Sequence, residues 1–98
     1  MATFYKVVFK GDVPKILSKG LYSGSYVWRT LKGARTFLWY ESEDERLEGK
    51  DPIYRILSVR YSGRTQPDPC PDYPDSKDLE ARVLTKSVSP HRIKLIGF

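Results

Sequence analysis

The feature that most constrains this chain is the two-residue period of its apolar side chains. In "TFYKVVFK", Tyr5, Val7 and Phe9 fall on one side, while Phe4, Lys6, Val8 and Lys10 fall on the other. Successive side chains of a strand point to opposite faces, so this pattern predicts a β-strand. "PIYRILSVRYSG" repeats it, with Ile53, Leu57, Val59 and Tyr61 on one side. Arg55 shares that parity, so one end of the face must open to solvent or to a site. "SYVWRT", "LEARVLTKSV" and the end of "SPHRIKLIGF" add shorter strands.

Helical signals separate these strands. After Phe9 comes "KGDVPKILSKG". Asp12 is placed to cap a helix, because its carboxylate can accept orphan backbone N–H groups. Pro14 suits a first turn, where those N–H groups lack partners anyway. Ile16 and Leu17 give the helix a short apolar face, and Gly20 ends it in a left-handed conformation. The stretch "LKGARTFLWYESEDER" allows two readings. Leu31, Ala34, Phe37 or Leu38, and Glu41 follow helical spacing, with Thr30 as cap. "LKGA" also fits a hairpin turn before a β-rich "TFLWY". "SEDE" at 42–45 resembles a capping box that starts a helix there instead. The spacing favours a helix from about 31 to 41.

"GRTQPDPCPDYPDSKD" interrupts the pattern. Proline cannot donate to a sheet ladder, so residues 63–78 read as a Pro/Asp-rich loop. A loop of this length in a small domain is usually functional or mobile. At 98 residues the chain makes one domain, 1–98, with no internal repeat. Its 40% apolar and 13% aromatic content is enough for a core. The expected fold is α+β: a small single domain with a twisted, mostly antiparallel sheet of about five or six strands and one or two short helices.

Several chemistries are excluded by count. Cys70 is the only cysteine, so no disulfide forms within the chain, which fits a reducing compartment. His91 is the only histidine, which removes two-histidine metal sites; no metal is expected. The N-terminal stretch lacks a signal peptide's apolar core. No apolar run approaches the roughly 18 residues of a membrane span. A soluble, cytoplasmic protein without a membrane partner is the expectation.

The net charge of +5 is uneven. Residues 1–40 carry seven basic and one acidic side chain, and residues 81–98 carry four basic and none acidic. Acidic residues gather in 41–51 and 67–80. Such a distribution suggests one positive face, able to attract nucleic acid, a phosphate-bearing nucleotide or an acidic protein surface. It is also compatible with ordinary solubilising charge.

In order, the pieces are Phe9-Lys10-Gly11, Ile16-Leu17 with Gly20-Leu21, Trp28 with Thr30, Ala34, Glu80, and Pro90 with Ile93. This order resembles the small ADP-ribosyltransferase-like proteins, a group that includes the RNA 2′-phosphotransferases. The resemblance spans nearly the whole chain. It implies a cleft for NAD or a related nucleotide, lined by Lys10, Gly11, Tyr22 and Trp28. It implies a catalytic role for Glu80, which would stabilise positive charge on the sugar as nicotinamide leaves. Asp78 shares its parity and is a rival. The family's first-strand His or Arg is Lys10 here, and its aromatic, usually Tyr, is Trp28 or Tyr26. Lysine reaches a phosphate as a point charge without a bidentate fork, so the fold can be kept while the chemistry is lost. Two other classes remain open. One is a small basic interaction protein that inhibits or regulates a partner. The other is a small β-barrel that binds nucleic acid, a reading that gains if residues 25–40 are a hairpin rather than strand plus helix.

Overall fold

The computed structural model describes residues 1–67 and 81–98. Six strands form one sheet: β1 (Ala2–Phe9), β2 (Tyr26–Trp28), β3 (Tyr54–Tyr61), β4 (Thr65–Pro67), β5 (Ala81–Leu84) and β6 (Ile93–Gly97). Three helices accompany them: α1 (Val13–Lys19), α2 (Leu31–Glu41) and α3 (Glu43–Leu47). Single 3₁₀ turns at Lys10–Asp12 and Pro90–Arg92 lead into α1 and β6. The strand order is β4-β5-β2-β1-β3-β6, and every pairing is antiparallel. The α+β expectation holds. The sheet is open, with β4 and β6 at its edges.

The alternation in β1 and β3 builds a core on each face. The two strands pair along their full length, from Ala2 opposite Tyr61 to Phe9 opposite Tyr54. Phe4 and Val8 join Val27, Leu57, Val59, Tyr61 and Leu84 on one face. Val13 and Ile16 of α1, together with Leu21 and Val88, pack onto that face. Val7 and Ile56 join Trp28 and Ala81 on the other, where Ala34 and Leu38 of α2 cover them. Leu38, Ile56, Leu57 and Val59 have no exposed surface. Each such side chain contributes roughly 1.5–3 kcal/mol of burial.

Residues 31–41 are helical, as the spacing favours. Thr30 is extended and its Oγ1 accepts from the Gly33 N–H at 3.0 Å. The hairpin that would favour a small barrel is therefore not formed. The acidic "SEDE" segment starts α3 as an additional helix rather than an alternative one. Ser42, between the two, is completely buried and its hydroxyl lacks a partner among the described residues.

Three local expectations need correction. Asp12 does not cap α1 through its side chain, because the 3₁₀ turn already holds it in a helical conformation. Gly20 does end α1 with positive φ, at 86°, but its ψ of −165° is outside the left-handed helical region. The reason is a close crossing: a Cβ at residue 20 would strike the Val88 carbonyl oxygen. Finally, Thr65–Pro67, read as part of the 63–78 loop, is strand β4. Pro67 is tolerated because β4 is an edge strand with no neighbour to receive its missing N–H. Residues 68–78 of that loop, with Cys70 and Asp78, lie outside the described residues.

Arg55 resolves the parity conflict in β3. Its Nη1 donates to the Pro52 and Tyr54 carbonyls, both at 2.8 Å. Its guanidinium lies 4.7 Å from the centre of the Phe98 ring. The charge is thus held by backbone oxygens and an aromatic face at the end of the apolar surface.

Candidate functional site

Two segments remote in sequence meet beside the α1-side core. One leaves β3 through Arg60, Tyr61, Ser62 and Gly63; the other is the β5–β6 connection. Tyr61 joins them. Its ring is 4% exposed and meets Phe4 edge-on at 6.0 Å. Its hydroxyl accepts from the backbone N–H of Thr85 at 3.2 Å and of Lys86 at 3.1 Å. It donates to the Arg64 carbonyl at 2.9 Å, which also accepts from Thr85 Oγ1 at 2.7 Å. Gly63 lies so near the phenol that a Cβ there would collide with the hydroxyl. Farther along, Val88 exchanges both backbone hydrogen bonds with Leu21, at 2.8 and 3.0 Å.

These contacts frame a pocket of about 230 Å³, lined by Arg60, Tyr61, Ser62, Gly63, Lys86, Ser87, Val88, Ser89 and Arg92. Three cationic residues, three serines and Tyr61 line it, and among the described residues no carboxylate does. The acidic residues of the described chain lie at position 12 and in 41–51. The arrangement can attract an anion and offer it several donors.

The residues expected at a nucleotide cleft are placed as follows. Lys10 and Gly11 are exposed in the turn after β1, where the Lys10 N–H donates to the Ile53 carbonyl at 2.7 Å. A side chain at Gly11 would meet nothing within 4 Å, so that backbone is open to approach. Tyr22 is 71% exposed, and its carbonyl accepts from the Ser25 hydroxyl at 2.7 Å. Trp28 is 6% exposed and packs on Phe37 with ring centres 4.4 Å apart. Among the described residues its indole N–H has no partner. Trp28 therefore belongs to the α2-side core rather than to an open wall. Glu80 lies outside the described residues; Ala81, which follows it, is the register partner of Trp28. Of the described ones, Lys10, Gly11, Tyr22 and Trp28, none lines the cationic pocket.

Of the arginines that might track phosphates, Arg60 lines the pocket, whereas Arg55 is engaged by carbonyls. Lys86 and Arg92 were not singled out by sequence reasoning. The signal for them is the run from 81 to 98, which has four basic residues and no acidic one.

Lys6 is the titratable group most altered by the fold. It is half-buried on the α1-side face, with Phe4 and Val8 on either side along β1 and Leu57 opposite. Burial pushes its amine down from 10.5 to about 8. No cluster of metal-ligating side chains occurs among the described residues. No described helix is long and apolar enough to cross a membrane.

Comparison with known proteins gives no match: no family model, curated protein or solved structure is similar enough to this chain to be recognised.

Proposed function

We propose that the protein is an ADP-ribosyltransferase-like domain that binds NAD or a related nucleotide, with its catalytic apparatus reduced. The observation that carries this reading is α2. A Thr30-capped helix over 31–41, lying between β2 and β3, keeps the order strand, helix, strand, helix, strand that underlies the resemblance. It also takes away the hairpin that would have favoured a nucleic-acid-binding barrel. Further support comes from the open backbone at Gly11 beside the exposed Lys10. In this reading Lys10 contacts phosphate, Tyr22 offers a free ring, and Trp28 stiffens β2 rather than stacking on the ligand. Glu80 is the residue on which any transfer of ADP-ribose depends.

The test is thermal. A ligand bound only by the folded state stabilises it by about 2.7 kcal/mol at a hundred times its dissociation constant. For a domain of this size that is roughly 10 °C or more. Millimolar NAD should raise the melting temperature, and Lys10→Ala should reduce the rise. Absence of any shift would leave a basic, non-catalytic interaction protein as the better description. If nicotinamide is released, Glu80→Gln should cut turnover by about a hundredfold with NAD affinity nearly kept, as loss of one electrostatic stabiliser does.

A further inference from the structure

We infer that the pocket between the β3–β4 turn and the β5–β6 connection binds the phosphate group of a small ligand, separately from any NAD cleft. Arg60 lines it from one segment, and Lys86 and Arg92 line it from the other. An anion entering the pocket is attracted to all three, the more strongly the closer it comes. Among the described residues none of the three has an ion pair; the one salt bridge there is Lys50–Glu48. Among the described residues the Arg92 guanidinium meets the Met1 thioether, at 3.4 Å from its Nη1. A thioether is a weak acceptor, so the guanidinium keeps donors for a ligand.

The donor set matches phosphate. Two guanidinium groups present flat forks suited to a pair of phosphate oxygens, and the lysine adds a mobile point charge. Ser62, Ser87 and Ser89 bring hydroxyls for the remaining oxygens. Tyr61 fixes both sides of the pocket through its hydroxyl, so less freedom is lost on binding.

The shape favours a small ligand over a nucleic-acid strand. Single-stranded binders combine a long basic groove with exposed aromatic platforms. Here the cations surround a concavity of about 230 Å³, and the only aromatic in its lining, Tyr61, is buried.

Inorganic pyrophosphate is the probe, titrated at low salt by calorimetry and by backbone amide shifts. Saturable binding is expected, with shifts concentrated at residues 61–63 and 86–89. Arg60→Gln and Lys86→Gln alter exposed side chains and should each weaken binding roughly tenfold. Lys94→Gln, an exposed lysine outside the pocket, should leave it unchanged. Equal weakening by Lys94→Gln would overturn the site in favour of diffuse charge. So would non-saturable binding, or an oligonucleotide that binds more tightly and shifts residues elsewhere. ADP binding more tightly than pyrophosphate identifies the source as a nucleotide; the reverse order identifies a free phosphate. If pyrophosphate binds and NAD does not, the nucleotide-cleft reading above fails while this pocket stands.

Discussion

Lys6 shows how one side chain can oppose the fold that contains it. The sequence places it on the same face as Phe4 and Val8, and that placement is correct. What the alternation does not reveal is how thoroughly α1 and the Leu21–Val88 bridge cover the face. The unfolded chain holds this proton to about 10.5, the folded chain only to about 8. Between those values the unfolded state binds more protons, so stability rises with pH across the window. Below pH 8 the whole cost of the buried charge is present. At about 1.4 kcal/mol per unit, the penalty is on the order of 3 kcal/mol or less. Lys6→Met should raise the urea midpoint at pH 7 and abolish the rise between pH 8 and 10. A variant whose pH dependence matches wild type would remove this account. Tyr61 acts in the opposite sense. Tyr61→Phe strands the Thr85 and Lys86 N–H groups and should cost about 1–3 kcal/mol in denaturant unfolding. A change below a few tenths would mean that water replaces the hydroxyl without loss.

At the scale of elements, legibility followed the strength of local chemistry. The helix at 31–41 was readable because cap and apolar spacing agree: Thr30 bonds Gly33, and Ala34 and Leu38 are the buried positions. Thr30→Ala should therefore cost about 1 kcal/mol, the usual worth of a side-chain cap. Leu38→Ala should cost about 2–5 kcal/mol, because Leu38 has no exposed surface and its removal leaves a cavity. Equilibrium unfolding of both variants checks the order; a cap worth more than the core leucine would contradict the packing described. The "SEDE" pattern at 42–45 does mark a helix start, but no capping box forms, since Ser42 makes no side-chain cap bond, and the pattern does not reveal a second helix directly after the first. Strand β4 was hidden because prolines dominate its surroundings, and only its edge position makes Pro67 acceptable. Asp12 misled for a related reason. Its residue type suits a cap, but the preceding turn fixes its backbone before the side chain can act.

At the scale of the molecule, the sheet was legible and the pocket was not. Period-two alternation reports which side chains share a face, and it did so correctly for β1 and β3. It does not report which loops meet, and the pocket depends on the 60–63 and 86–92 segments being brought together. Only the excess of positive charge after residue 80 hinted at it. The sheet also divides the core in two, and the division has an optical consequence. Both tryptophans lie with α2: Trp28 in the core beneath it, and Trp39 on its surface, 38% exposed and beside Arg46. Trp28 should emit in the blue and resist iodide quenching, while Trp39 should emit farther to the red and be quenched; Trp28→Phe should remove the blue component. If the domain unfolds as one unit, fluorescence and far-ultraviolet circular dichroism will give coincident transitions, and a gap between them would show the two faces separating. Tyr61 and Val88, which line the cationic pocket, belong to the other core. An anion bound there should raise the melting temperature while leaving the emission of the native protein unchanged, a ligand felt by the fold but invisible to its tryptophans.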